Sequence, residues 1–236
     1  MDEFGAIILA AGLSRRMKER NKLLLPIGET TMIRQVVETY LSAVDGAVWV
    51  VTGFESDRVE AALDGLPVRF VHNDAFEAGQ PFSVAAGLRA VRGAAHYLIG
   101  LGDQPQLSSE DVRALMAAHM AADTQRISIP SQDGNRGNPI IVPAPMRAGL
   151  LADQTNPGCG KFTRAHPERV QHIPMPQIGF FKDIDTPAAF ESFKKNETQR
   201  GSHMKKLRTY FRAYRQKWAL SPAQAETLAT IKFPCC

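Results

Sequence analysis

The segment Leu9-Ala10-Ala11-Gly12-Leu13-Ser14-Arg15-Arg16-Met17, followed by Asn21-Lys22-Leu23-Leu24, joins small residues to cations at short spacing. Small residues directly after a strand let backbone N–H groups approach a nucleotide where side chains would clash. Arg16 and Lys22 add fixed positive charge suited to a triphosphate. The pattern is neither the GxxxxGK[ST] loop nor the GxGxxG fingerprint. Further along, Ile99-Gly100-Leu101-Gly102-Asp103-Gln104-Pro105 sets a carboxylate just behind an apolar run and a glycine. From there Asp103 can project into a cleft and hold a hard cation, with turn or helix capping as its other possible role. Lys182-Asp183-Ile184-Asp185-Thr186-Pro187 brings two more carboxylates in front of a helix start, where Asp185 is also placed to cap that helix.

The elements that must position these residues follow from periodicity. Apolar runs predict strands over Gly5–Ala10, Ala47–Val51, Val68–His72, Tyr97–Leu101, Ile127–Pro130 and Pro139–Val142. Helical spacing predicts helices over Thr31–Ser42, Ser56–Leu63 with Ser56 as N-cap, Ser83–Val91, Ser108–Ala121 and Thr186–Phe193, the last with Pro187 in its first turn. Alternating strands and helices with short connections predict an α/β fold with a doubly wound, mostly parallel sheet. Ligands in such sheets bind beyond the carboxyl ends of the strands. The chemistry-bearing residues named above all fall just after predicted strands or before a helix.

Composition narrows the class. The chain has 236 residues, 44% hydrophobic and 22% charged, as ordinary globular domains do. The formal charge of +4 is unevenly spread. From Met204 onward seven Lys or Arg face one acid, Glu226, a net +6 that leaves −2 for residues 1–203. The high isoelectric point therefore does not argue for nucleic-acid binding by the main domain. No apolar run is long enough to span a membrane, and the acidic start MDEFGAIILAAG lacks the basic flank of a signal peptide. Together these features predict a cytoplasmic location with no membrane partner. Cys159, Cys235 and Cys236 do not form a disulfide framework.

Taken together, LAAG, Arg16-Met17 and the NKLLLP stretch from Asn21 resemble the LAAGxSxRMGxxK signature of the MobA/MocA-like nucleotidyltransferases, in the form typical of the molybdenum cofactor cytidylyltransferase branch. Lys18 stands where that signature has glycine. The resemblance implies a Rossmann-like, GT-A-like nucleotidyltransferase domain over residues 1–195, with a C-terminal extension over 196–236. It implies that Leu9, Ala10, Ala11, Gly12, Ser14, Lys22 and Gly102 hold the nucleotide, with Lys22 on the phosphates. Gly102-Asp103-Gln104-Pro105 resembles the family's GDMP or GDQP motif and Asp183-Ile184-Asp185-Thr186-Pro187 its DIDTP motif. These imply Mg²⁺ held by Asp103 and Asp185, with Asp183 as the substitute ligand. His72-Asn73 with Gly79-Gln80-Pro81-Phe82-Ser83 resembles the HN…GMxxS loop, which implies nucleotide contacts from Asn73, Gln80 and Ser83, though Asn73 could equally cap a turn. Gly137-Asn138-Pro139 resembles the GNP motif that lines the acceptor side. Gly158-Cys159-Gly160-Lys161 and His166-Pro167-Glu168 resemble parts of a GDxGxR…HPE region, with His166 expected to be a structural surface residue.

What the resemblance implies for function is transfer of CMP from CTP to molybdenum-loaded molybdopterin, giving molybdopterin cytosine dinucleotide and pyrophosphate. Lys22, Arg16, Asp103 and Asp185 would carry catalysis, and an apo-molybdoenzyme of the xanthine dehydrogenase type would receive the product. Alternatives on the same fold are a guanylyltransferase of the molybdenum cofactor and a sugar- or alcohol-phosphate nucleotidyltransferase. A non-catalytic cofactor carrier is the alternative of another class. Arg200-Gly201-Ser202-His203-Met204 reads as a tag-cleavage or cloning junction, and the tail after it as an extension without a role in the activity. Within that tail residues 205–219 could form a basic amphipathic helix, with a membrane-surface or partner-binding helix as the alternative.

Overall fold

The computed structural model describes residues 2–17 and 20–196, without the Asp2 side chain. Lys18, the junction-like segment at 200–204, the expected helix over 205–219 and Cys235-Cys236 lie outside the described residues. Contacts divide the chain into Met1–Pro187 and Ala188–Cys236. In the second unit the described residues continue a helix that runs over 187–196, where the sequence predicts one.

The first unit is the expected α/β sheet. Its strands are β1 (Asp2–Leu9), β2 (Val48–Thr52), β3 (Val68–His72), β4 (Ala94–Leu101), β5 (Ile127–Gln132), β6 (Asn135–Arg136), β7 (Ile140–Pro143) and β8 (Val170–Pro174). They lie in the order β8-β5-β7-β4-β1-β2-β3, with β6 paired to β5. Pairing is parallel from β4 through β1 and β2 to β3 and between β8 and β5, while β7 runs antiparallel to both its neighbours. The sheet is therefore mostly parallel, with β7 and the short β6 running against the other strands.

Both faces are covered, as β1 itself requires. Phe4, Ala6 and Ile8 point into one core and Ile7 and Leu9 into the other, because successive side chains of a strand alternate. Helices α1 (Met32–Ala43), α2 (Ser56–Ala62) and α4 (Ser109–Met120) cover the first face. Helices α3 (Gln80–Ala90), α5 (Arg147–Ala152) and α6 (Cys159–Ala165) cover the second. In α1 the inward stripe is Ile33, Val36, Val37 and Tyr40, and Thr31 caps it by accepting from the Arg34 N–H. Helix α4 opens on a full capping box between Ser108 and Asp111.

Two helix starts differ from expectation. Ser56 does not cap α2; it is the first helical residue, and the cap is Glu55 in the left-handed region at φ 51°. Helix α3 begins at Gln80 rather than Ser83. Gly79, at φ 107°, makes the bend that lets Pro81 sit in the first turn, where its missing N–H costs nothing.

Candidate active site

The site is assembled at the carboxyl ends of β1 and β4. Beyond Leu9 the backbone stays clamped, with Ala10 donating its N–H to the Val51 carbonyl at 2.8 Å. Gly53 permits this closeness, since a Cβ there would lie 2.6 Å from Phe76 Cβ and 2.9 Å from Ala11 Cβ. The chain then turns through Ser14, in the left-handed region at φ 50°. Ser14 Oγ accepts the Lys22 backbone N–H at 3.1 Å, and its carbonyl accepts from Met17 at 2.8 Å. Asn21 caps the single turn Lys22–Leu24 through Leu23. Ser14 thus sets where Lys22 sits as well as shaping the loop.

On the neighbouring strand, Gly102 donates to the Leu9 carbonyl at 3.0 Å. A Cβ on Gly102 would crowd the Leu9 carbonyl oxygen at 3.0 Å and Ile33 Cδ1 at 2.8 Å, so glycine eases the close approach of Asp103 to β1. Asp103 is 8% exposed. Ile184 donates its N–H to the Asp103 carbonyl at 2.9 Å, which brings Asp183 and Asp185 beside it. Lys22 Nζ donates to both Asp103 and Asp185, the latter at 2.6 Å, and Arg16 reaches Asp185 at 2.5 Å.

Electrostatics follow from this crowding. Burial, with Asp183 and Asp185 nearby, pushes the Asp103 carboxyl above its ordinary value despite Lys22. Burial also pulls Asp185 up, but the hydrogen bond and charge of Lys22, with Arg16, outweigh it and hold Asp185 below the usual value. Burial alone would lower the Lys22 ammonium; its two carboxylate partners raise it instead. Oxygens of Asp103, Asp183 and Asp185 lie within 4.8 Å of one another. Asp103 Oδ1 is buried without a hydrogen-bond partner among the described residues. Clustered carboxylate oxygens, one of them unsatisfied, fit a hard divalent cation.

A cleft of about 440 Å³ opens above this cluster. Of the residues expected to hold nucleotide, Leu9, Ala11, Gly12, Ser14 and Lys22 line it from the β1 side, and Gln80 and Ser83 from α3. Arg16, Asp103 and Asp185 line it as well. Ala10 and Gly102 lie buried behind its wall. Asn73 is buried too, and its side chain is spent inside the protein, donating to Ser83 Oγ and accepting from the Ala75 N–H, both at 3.1 Å. Phe76 and Glu77 also line the cleft; the sequence marked neither, because they sit in a short turn without periodicity.

The expected acceptor residues fall elsewhere. Gly137 and Asn138 line a second cleft of about 360 Å³, which shares Gln80 and Leu101 with the first. Pro139, buried, follows through a cis peptide. Asn138 is held by its N–H to the Phe180 carbonyl at 2.8 Å. Arg136, Cys159, Gly160 and Arg164 complete this cleft's polar side. Lys161 instead pairs with Asp153 at 2.6 Å. The His166 ring lies 4.6 Å from the Phe162 ring, tilted against it, and faces Glu168 at 3.3 Å.

Comparison with known proteins bears on the family and the fold. The profile of the MobA-like NTP transferase domain matches residues 6–170. Nicotine blue oxidoreductase of Paenarthrobacter nicotinovorans is 29% identical over 185 residues, covering 76% of this chain and 91% of that protein. The bifunctional protein GlmU of Symbiobacterium thermophilum is 32% identical over 125 residues, 52% of this chain, and the match spans only 26% of GlmU. Among solved structures, a nucleotidyl transferase from Methanothermobacter thermautotroptrophicus superposes with a TM-score of 0.72 at 26% identity, over 84% of this chain and 98% of that one.

Proposed function

The chain belongs to the MobA-like NTP transferase family, and from that premise we propose that it transfers CMP from CTP to molybdenum-loaded molybdopterin, forming molybdopterin cytosine dinucleotide and pyrophosphate. The observation that carries the nucleotidyl-transfer reading is the convergence of Lys22, Asp103 and Asp185 at the floor of a cleft walled by the Ala11–Ser14 turn. The choice of CTP and of a molybdopterin acceptor rests on the LAAG…NKLLLP form of the first loop.

In this reaction an acceptor phosphate oxygen bonds to the α-phosphorus of the nucleotide. The α–β phosphoanhydride bond breaks in line and pyrophosphate leaves with the electron pair. The attacking phosphate is already anionic, so positioning and charge neutralisation supply most of the rate. The Ala11–Ser14 backbone seats the nucleotide. Lys22 and Arg16 turn from their carboxylates toward the β- and γ-phosphates and balance the leaving charge. Asp103 and Asp185, with Asp183 beside them, would hold Mg²⁺. When bound, that ion would neutralise charge on the phosphate oxygens of donor and acceptor. The product's recipient would be an apo-molybdoenzyme of the xanthine dehydrogenase type. A cytoplasmic setting suits these substrates, and no helix among the described residues is long and apolar enough to cross a membrane.

The test is pyrophosphate release with Mg²⁺ and molybdenum-loaded molybdopterin, supplying CTP, GTP and ATP separately. Release with CTP alone supports the reading. Release with GTP moves the protein to guanylyl transfer with the same site. Release only with a sugar or alcohol phosphate as acceptor replaces molybdopterin. The name of the Paenarthrobacter relative favours a second reading, an oxidoreductase, which predicts no pyrophosphate from any nucleotide, as does a non-catalytic carrier.

A further inference from the structure

The second cleft has a charge imbalance that the residues around it do not resolve. Arg136, on β6, and Arg164, on α6, both face it, and among the described residues no carboxylate lines it. Arg136 donates one N–H to Thr163 Oγ1 at 2.8 Å, and Thr163 is buried and held in turn by the Cys159 carbonyl. A guanidinium carries five N–H donors, so this contact aims the group while leaving most of its donors for a ligand. Neither Arg136 nor Arg164 forms an ion pair among the described residues, whereas Lys161, on the same helix as Arg164, is satisfied by Asp153. Burial and the neighbouring Arg164 charge pull the Arg136 guanidinium below its ordinary value. Two like charges held together at the mouth of a cleft disfavour each other unless an anion joins them. Behind them the wall is apolar, made by Val84, Ile99, Ile129 and Ile140.

We propose that Arg136 and Arg164 grip the phosphate of the acceptor, and that the acceptor is a phosphate monoester whose apolar or ring-shaped body lies against Val84, Ile129 and Ile140. This deepens the nucleotidyltransferase reading and rests on it for taking the second cleft as the acceptor side. Gln80 and Leu101, shared by both clefts, put the gripped substrate next to the nucleotide. The same arrangement favours phosphates over uncharged alcohols as acceptors, since an alcohol brings no charge for the two exposed guanidinium groups to pair with.

The test uses the full chain and phenyl phosphate, which has a ring and one phosphate, with phenol as the uncharged control. Binding is measured by calorimetry for the wild type, for Arg164→Gln and for Arg136→Gln/Arg164→Gln, and binding of CTP, GTP and ATP with Mg²⁺ is measured on the same samples. The expected result is that phenyl phosphate binds the wild type more tightly than phenol. It should weaken about tenfold in Arg164→Gln and up to about a hundredfold in the double variant. CTP affinity should hold in each, which also reports that each variant is folded. Equal phenyl phosphate affinity in wild type and variants, or no preference over phenol, overturns the proposal. Failure of the wild type to bind CTP, GTP or ATP with Mg²⁺, with arginine-dependent phenyl phosphate binding intact, sinks the nucleotidyltransferase reading and leaves the anion grip standing.

Discussion

Ile184 donates its backbone N–H to the Asp103 carbonyl at 2.9 Å, and this single bond sets the register of the Asp183–Asp185 loop against the end of β4. Ile184 is itself buried, so the loop is anchored by its central side chain while the flanking aspartates face the cleft. Three carboxylates from two distant stretches of chain become one cluster through that pairing.

Replacing Asp103 by Asn keeps the shape and removes the charge that a cation would need. Pyrophosphate release should fall by about 10²–10³, the usual cost of losing one charged contact to the reacting phosphates. Asp185→Asn should do the same, and Asp183→Asn should do less. Thermal unfolding should stay close to wild type for Asp103→Asn, whose carboxyl burial already pushes above its ordinary value, and fall for Asp185→Asn, which loses its pairs with Lys22 and Arg16. Near-normal turnover in Asp103→Asn would remove it from the proposed site.

Lys22→Met tests the other half of the cluster. Without the ammonium, Asp103 loses its ion-pair partner and Asp185 keeps Arg16 as its partner among the described residues. Ligand-free stability should drop by about 1–3 kcal/mol in denaturant titration, and added Mg²⁺ should recover part of it by binding the freed oxygens. An unchanged midpoint would mean that the ion pairs contribute nothing net.

Gly100 and Tyr40 form a packing pair beneath the site. A Cβ on Gly100 would lie 2.1 Å from Tyr40 Oη and 2.5 Å from Cζ, and that hydroxyl is buried without a partner among the described residues. Gly100→Ala should therefore destabilise the fold by about 1–3 kcal/mol. Tyr40→Phe should be neutral or stabilising, because it removes an unsatisfied buried hydroxyl. The double variant should recover part of the Gly100→Ala loss, a coupling that a double-mutant cycle in urea reads directly.

His119 makes stability depend on pH. It is fully buried, with Nδ1 2.6 Å from Ser128 Oγ and Nε2 3.1 Å from His96 Nδ1. Burial and then the His96 charge push its pKa down to about 4. The unfolded chain takes up this proton near the free histidine value of about 6.5, so between those values the unfolded state binds more protons. Stability is then full above about pH 6.5 and is lost as pH falls toward 4, by about 2–3 kcal/mol from this group. His119→Gln should flatten that part of the curve in urea titrations at pH 7 and 4.5. A variant as acid-sensitive as wild type would assign the effect to other groups.

Much of this was legible in the chain itself. Periodicity located β3 to the residue and α1 and α4 within a residue or two, because alternation and the i, i+3, i+4 stripe are consequences of local geometry. The Ser108–Asp111 box and the glycine before Asp103 are local as well, which is why the cation-bearing loop and the carboxylates could be named from their motifs. Helices α5 and α6 escaped because they are six and seven residues long, too short to display a face.

By itself, then, the sequence determined the elements, the alternation that demands two covered faces, and the residue types that meet phosphate. The tertiary structure alone decided what converges. Strand β7 reverses direction, Asn73 turns inward onto Ser83, Ile184 registers on Asp103, and Arg136 and Arg164 meet across one cleft. Each of these depends on which strands pair and where a helix lands. Residues far apart in the chain carry no local steric mark of their meeting; it follows from burying the two faces of one sheet together.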